Sequence, residues 1–454
     1  MQGGGFMTSE LSDPRPSLVP RSATQDGDVR GRWPSALPAV WTERMLTTLE
    51  EGVKGGVWFS LMDKVFAERT LRAAADSVIA NKGAPGVDRV GVLEFQADLF
   101  SNVKKLSAAL RDGSYEPNAI RRVFIPKPGS NEQRPLGIPT VRDRTVQSAL
   151  RYVLEPIFEK EFAERSYGFR PGRGGKDGLR RVVELLDSGF CYVVDADLKS
   201  FFDTIPHDRL MGRLRERIAD GRVLGLIESF LKAGIFDGMT ETEPEAGAPQ
   251  GAVLSPLLSN IYLNPLDHLM AKRGIEMVRY ADDFVILCRS ALEAEQALTM
   301  VRQWCEAEGL TLHPGKTKIV DSRTEGFDFL GYHFATCKGR RTRWPRKKSL
   351  AKWKDAVRAK TKRSNGKSLR VILAGLNPTL IGWFGYFKHS NKSTFSAVDG
   401  WIRRRLRSIL RRRAGREGCG RGADHQRYRN TFFTDRGYFS LEAAYESLRR
   451  SPLG

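Results

Sequence analysis

Val278-Arg279-Tyr280-Ala281-Asp282-Asp283-Phe284-Val285-Ile286-Leu287 places two adjacent carboxylates between short apolar runs. Flanks of that length predict a β-hairpin with the acidic pair at its turn. Side chains alternate faces along a strand, so one Asp points squarely into a site and the other lies beside it. A carboxylate pair on a rigid hairpin suits hard divalent cations, which take oxygen ligands. Upstream, Tyr192-Val193-Val194-Asp195-Ala196-Asp197-Leu198-Lys199-Ser200-Phe201-Phe202-Asp203 offers a third carboxylate. Asp197 would complete a two-metal site for nucleotidyl transfer, with Asp195 and Asp203 competing for the role. The chemistry expected is polymerisation. Five residues after Asp197, Phe202 is expected to project toward the same site. In a nucleotide polymerase a ring there would clash with a ribose 2′-hydroxyl; core packing is the other reading for Phe201 and Phe202.

Further segments supply groups a nucleotide would need. In Gly247-Ala248-Pro249-Gln250-Gly251-Ala252 the glycine Gly251 removes bulk where backbone must approach a ligand closely, and Pro249 fixes the approach. A tight structural turn is the alternative. Lys127 and Arg134 flank the loop Pro128-Gly129-Ser130-Asn131-Glu132-Gln133 and are placed to clamp phosphate oxygens. Lys316, in His313-Pro314-Gly315-Lys316-Thr317-Lys318, is a candidate to protonate a leaving pyrophosphate, with a solvated lysine as the bland alternative.

The net charge of +21 is very unevenly placed. Lys338 to Arg427 holds 27 lysines and arginines against four acids, a net of +23. The remainder of the chain nets −2. An excess this localised predicts a polyanion partner, and nucleic acid is the best candidate. Aromatic rings are interleaved with it (Trp344, Trp353, Trp383, Trp401), though on helices most such rings are core. No apolar run approaches the length needed to span a bilayer, and no secretory segment follows Met1. The five cysteines are scattered with no Cys-x-x-Cys pair, which argues against zinc knuckles and disulfides and predicts a cytoplasmic protein.

Residues 1–55 read as a disordered extension. Helices are expected from about Trp58, over 93–111, 142–163, 175–187, 207–217, 222–234 and 290–308, and strands over 121–126, 191–197, 277–281 and 283–288. Beyond Lys348 the pattern turns helical and basic, with a break at Gly375-Leu376-Asn377-Pro378.

Several motifs now stand in one order: Arg134-Pro135-Leu136-Gly137-Ile138-Pro139-Thr140, Ser166-Tyr167-Gly168-Phe169-Arg170-Pro171-Gly172, the Asp197 strand, Pro249-Gln250-Gly251, Tyr280 to Asp283, and Phe327-Asp328-Phe329-Leu330-Gly331-Tyr332. Together they closely resemble bacterial group II intron-encoded reverse transcriptases of the endonuclease-less type. Gly83 to Asp88 looks like the extra N-terminal block of those enzymes, and Gly375 to Phe387 resembles their maturase-specific X domain. The resemblance implies a right-hand polymerase fold of the α/β (α+β) class: fingers and palm over 56–335 with an antiparallel palm sheet, a basic α-helical thumb and X domain over 336–415, and a short tail over 416–454 without an endonuclease domain. It implies Asp197, Asp282 and Asp283 around two Mg²⁺ ions, dNTP substrates near Lys127, Arg134, Phe202, Gln250, Gly251 and Lys316, and an RNA template with a DNA primer. Intron RNA would be gripped by the basic segment, with Arg403, Arg404, Arg405, Arg411 and Arg412 as contacts, and target DNA would receive the copy. Two alternatives differ in class: an RNA-binding maturase without significant polymerase activity, and a reverse transcriptase of the retron or defence type.

Overall fold

The computed structural model describes residues 40–53, 55–126, 133–337, 339–416 and 422–450. Helices α1 (Glu43–Glu51), α2 (Met62–Val65), α3 (Glu68–Ala80), α4 (Val92–Ala97) and α5 (Leu99–Asp112) lead into the strands β1 (Ile120–Pro126) and β2 (Gln133–Ile138). Then come α6 (Val141–Glu159), α7 (Gly175–Asp187), β3 (Tyr192–Asp197), the short α8 (Phe201–Thr204), α9 (His207–Arg215) and α10 (Gly221–Lys232). The hairpin β4 (Ile235–Phe236) and β5 (Glu241–Thr242) is followed by α11 (Ser255–Lys272), β6 (Glu276–Tyr280), β7 (Asp283–Cys288), α12 (Ala291–Ala307) and β8 (Lys318–Asp321). The rest comprises β9 (Phe327–Phe329), β10 (Tyr332–Cys337), β11 (Arg340–Pro345), α13 (Lys347–Lys360), α14 (Leu369–Phe387), α15 (Lys392–Arg413), α16 (Ala423–Arg427), α17 (Asn430–Thr434) and α18 (Leu441–Arg450).

The central sheet has the order β6-β7-β3-β8, and its pairings are antiparallel. Alternation along β3 and β7 sends Val194, Ala196, Phe284 and Ile286 into one core, with α11, α12 and the fingers helices. Val193, Val285 and Leu287 point the other way, into a second core with α7, β9, β10 and the basic helices. The sheet is therefore a plate between two apolar layers, and polar groups gather at its end. A fingers sheet (β2-β1-β4-β5) and a three-stranded sheet (β11-β10-β9) flank it. This is the α/β polymerase-like body with a helical C-terminal region that the motif order implies.

Several boundaries differ from the sequence reading. The disordered extension was drawn to residue 55, but α1 lies inside it and Val40 and Trp41 are buried. The Trp41 ring meets Trp58 at 5.5 Å and its Nε1 donates to the Tyr152 carbonyl, so a tertiary anchor overrides weak local patterning. Residues 1–39 lie outside the described residues. The expected helix over 93–111 is two, parted at Asp98. The expected break at Gly375 to Pro378 is absent, because α14 runs through it. Burial of Leu373, Leu376, Leu380 and Trp383 on one face outweighs the single ladder bond that Pro378 cannot donate.

The 335/336 division also fails as a structural boundary, since it cuts β10, which pairs with β11 from Tyr332↔Pro345 to Cys337↔Arg340. Within the expected short tail over 416–454, the described residues 422–450 pack into the body of the fold. Phe433, Tyr438, Leu441 and Tyr445 are buried against α14 and α15. Buried Asp399 on α15 accepts hydrogen bonds from the Tyr438 and Ser440 hydroxyls and from the amides of Leu441 and Glu442, which fastens the start of α18.

Candidate active site

The catalytic candidates meet at one end of the central sheet. Asp197 closes β3 and Asp283 opens β7, and the two stand directly opposite in register. Tyr280 pairs with Asp283 on the other side, leaving Ala281 and Asp282 as a two-residue turn. Asp195 shares the Asp197 face two residues further in, across from Lys318, and Asp203 lies on α8 toward Arg122 and Arg134. Of the three competing acids, Asp197 alone is in register with the hairpin acids.

Burial, with repulsion from Asp195, Asp282 and Asp197, pushes the Asp283 carboxyl up to about 7. Burial and the neighbouring Asp197 also raise Asp282, while Arg134 and Arg279 oppose them. Asp195 is pushed up to about 6, chiefly by burial, against the pull of Lys318. Such a cluster has more negative charge than its protein surroundings balance, which is the electrostatic condition for binding a cation. One cation is already there: the Lys316 ammonium sits 2.6 Å from Asp197 Oδ2. Among the described residues no three acids, imidazoles or thiols form a ready-made metal cage. The all-oxygen donor set nevertheless fits hard divalent ions once Lys316 turns away.

The turn itself is held from beneath by residues that the sequence reading passed over. Arg279 is fully buried; its Nε donates to Asp267 Oδ1 at 2.8 Å, and its second terminal nitrogen also reaches Asp267. The other terminal nitrogen donates to Asn260 Oδ1 at 3.0 Å and to the Ala281 carbonyl at 2.9 Å. One guanidinium thereby fixes the turn on α11. Ala281 lies in the left-handed region at φ 59°, where a side chain is disfavoured. Gly168 packs directly against this turn, since a Cβ there would fall 2.3 Å from the Ala281 nitrogen. Tyr167 donates its amide to Arg279 and Arg279 donates its own to Arg165, so the Ser166–Arg170 motif runs alongside β6 as a brace. Arg170 anchors that brace through a buried ion pair with Glu159 at 2.7 Å. A charged residue in an apolar run was the available signal for Arg279.

The nucleotide-site candidates divide. Arg134 is exposed and donates from Nε to Gln250 Oε1 at 2.7 Å, and its charge acts on both Asp282 and Asp203. Gly251, at φ 103°, has a local reason to be glycine: a Cβ would lie 2.5 Å from the Gly137 carbonyl oxygen. Its close approach is to β2, where Gly137 also donates to the Gln250 carbonyl. The Pro249-Gln250-Gly251 loop thus clips fingers to palm, since Ala248 donates to the Phe202 carbonyl at 2.7 Å. Phe201 and Phe202 are both buried, with rings 5.3 Å apart, and Phe202 is the more open of the two. Lys127 lies outside the described residues.

The RNA-contact candidates divide as well. Arg403 is buried beside Asp399, and Arg405 donates to the Thr361 hydroxyl and carbonyl. Arg411 pairs with Asp424 at 2.6 Å. Arg404 and Arg412 are exposed. Three consecutive helical positions span more than half the circumference, so a run of three arginines cannot face one partner. Replacing Arg404 and Arg412 with alanine should lower the salt slope of RNA binding by about 1.5 without changing the melting temperature. Arg403→Ala should instead lower the melting temperature, since it strips the ion partner from buried Asp399. Melting curves and salt titrations of binding check both, and an unchanged slope in the first variant would place those two side chains off the RNA.

Comparison with known families agrees with this geometry. Residues 125–334 match the family described as "Reverse transcriptase (RNA-dependent DNA polymerase)", and residues 350–428 match "Group II intron, maturase-specific domain". Protein YkfC of Escherichia coli (strain K12) is 37% identical over 306 residues, which is 58% of this chain and 79% of that protein. The group II intron-encoded protein LtrA of Lactococcus lactis subsp. cremoris is 41% identical over 208 residues, 45% of this chain and 34% of its own length. A 91 kDa protein in the cob intron of Schizosaccharomyces pombe is 32% identical over 295 residues, 52% of this chain and 36% of its own. The match spans about a third of each of these two longer relatives. Among the described residues no helix is long and apolar enough to cross a membrane.

Proposed function

The chain belongs to the group II intron reverse transcriptase and maturase family, and from that premise we propose an RNA-directed DNA polymerase that also grips intron RNA to assist splicing and mobility. The observation that carries the reading is the register pairing of Asp197 with Asp283 beside Asp282, at the open end of a sheet sealed on both faces. An acidic cluster held this rigidly, against its own repulsion, has no use in a protein that only binds RNA. The maturase without polymerase activity is disfavoured on that ground. The maturase-domain match disfavours a retron or defence lineage.

Asp197, Asp282 and Asp283 would hold two Mg²⁺ ions. The chemistry these supply is a lowered pKa for the primer 3′-hydroxyl and stabilisation of the leaving pyrophosphate. Lys316, which pairs with Asp197 at 2.6 Å, would on release give a proton to that leaving group. Arg134, held by Gln250, would bind triphosphate oxygens, and Lys127 remains the second candidate for that role. Phe202 would limit space at the sugar and favour dNTPs. The RNA template with its DNA primer would lie against this end of the sheet, with target DNA receiving the copy. The net +23 of Lys338 to Arg427 would hold intron RNA, with exposed Arg404 and Arg412 in contact. Cys191, Cys288, Cys305 and Cys337 are free thiols, in keeping with work in the cytoplasm.

Primer extension on an RNA template with dNTPs tests the reading. The wild type should extend with Mg²⁺ and stop when the ion is chelated. No extension at any of several salt concentrations, with tight RNA binding retained, would favour the maturase that only binds.

A further inference from the structure

A half-open cavity of about 900 Å³ lies between α7, the β10–β11 hairpin, the α14–α15 corner and α18. A smaller one of about 180 Å³ continues it along α7 toward Lys176 and Tyr386, and the two share Val183, Arg343, Lys388 and His389. Together they form one groove. Its larger part is not the catalytic cleft: it reaches Asp187 and Ser322, beside the start of β3, whereas Asp197 ends that strand, and only the narrow end at Tyr386 comes near Tyr280 and Asp283. Five residues of extended chain, about 17 Å, separate the two places.

The lining is of two kinds. The rim carries Lys176, Arg180, Arg341, Arg343, Lys388 and Arg449. Asp187 is the one acid among the described lining residues, and Arg341 takes it at 2.8 Å. The floor is apolar, with Leu186, Phe334 and Leu448. His389 reports the resulting field. Partial desolvation, then Arg343, Lys388, Lys176 and Arg180, hold its imidazole down to about 4, although part of the ring is open to solvent. Cations this concentrated, with one acid among them, call for an anionic occupant. The shape selects which. A space of about 900 Å³ holds a few nucleotides and not a stretch of duplex, and an unpaired strand can lay bases on the apolar lining and phosphates on the rim. Thr336, Thr342 and Asn391 line the wall; the two hydroxyls donate to the Ser322 and Ala335 carbonyls, which leaves their oxygens to accept from a 2′-hydroxyl and so favours RNA over DNA.

We infer that the groove between α7, β10–β11 and α18 holds an unpaired segment of RNA, separate from the strand being copied. The inference rests on the nucleic-acid reading above and deepens it by giving the RNA a second, single-stranded foothold whose larger part lies at the opposite end of β3 from Asp197. One protein could then stay on its RNA while the catalytic end changes substrate.

The test uses the full chain with Lys176, Lys388 and Arg449 all replaced by alanine. A short single-stranded RNA should bind about tenfold more weakly at 0.15 M salt, with the salt slope reduced by about 2, as expected for three lost phosphate contacts on a single strand. Extension of a pre-annealed primer on an RNA template should change less than twofold. Unchanged affinity and slope would overturn the proposal. So would a parallel loss of extension, which would assign these cations to the catalytic cleft, or equal binding of single-stranded DNA at the groove, which would remove the assignment to RNA. A wild-type measurement covers a variant that fails to fold: 4-thiouridine RNA should crosslink to peptides from α7, β10–β11 or α18, and crosslinks found only elsewhere would overturn the site. Groove crosslinks in a protein that never extends a primer would sink the polymerase reading and leave this one standing.

Discussion

Asp283→Asn should give a folded protein that no longer extends a primer, with a loss of at least 10³-fold, yet resists heat better than the wild type when divalent ions are absent. The first half follows from removing a charge opposite Asp197 that the proposed function assigns to the metal ions. The second follows from proton linkage. The Asp283 carboxyl titrates near 7 in the folded chain against an ordinary value of 3.8. A raised carboxyl means that the native state holds a proton the unfolded state has released. This group's penalty is therefore absent at and below about pH 4, grows as the pH rises, and is complete above about 7. Three units correspond to about 4 kcal/mol, of which neutralising one member of a coupled cluster would recover roughly half. In EDTA at pH 8 the variant should melt a few degrees above the wild type, and the gap should close near pH 4 and on adding Mg²⁺ to the wild type. A variant that melts lower at pH 8 would mean that Asp283 is satisfied by the protein alone, and the metal-site reading would lose its electrostatic basis.

Arg279→Ala should be the most damaging substitution away from the carboxylates. It strands buried Asp267, removes a donor from Asn260 and frees the Ala281 carbonyl. Breaking a buried, multiply bonded pair costs about 3–5 kcal/mol, because the remaining charge has no solvent to turn to. Lost activity could reflect simple unfolding, and a double variant separates the two effects. Arg279→Met with Asp267→Leu removes both charges and should recover most of the melting temperature. It does not restore the donor to Ala281, so extension should stay at least tenfold below wild type. Full recovery of both properties would show that the guanidinium has only a structural part and does not aim the turn.

The hairpin was legible because period-2 alternation and apolar flanks specify strands locally, whereas the choice of Asp197 and the polymerase setting came from the order of the motifs and the family they resemble. The brace beneath the turn was not legible. Arg279 sits where alternation alone predicts an ordinary strand position, and its burial is created by Asp267 twelve residues earlier on α11. The arginine run on α15 misled in the opposite sense. Composition counts charges, but helical geometry turns Arg403 and Arg405 inward and leaves Arg404 out. Gly251 was assigned to the right loop for a different reason, since its backbone approaches β2. Pro378 and Gly375 mark a break only when the turn around them lacks an apolar face, and α14 has one.

The second apolar layer has a consequence for how such a gene can change. Val193, Val285 and Leu287 of the central sheet and Trp383, Phe395 and Tyr445 of the basic helices belong to one continuous core. A stop codon between β11 and α14 would leave α7 and β9 over the sheet but strip the outer half of that core, baring Tyr332 where it packs on Phe387. Losing the basic helices would then cost the palm some of its own stability, whereas point changes on their exposed face would not.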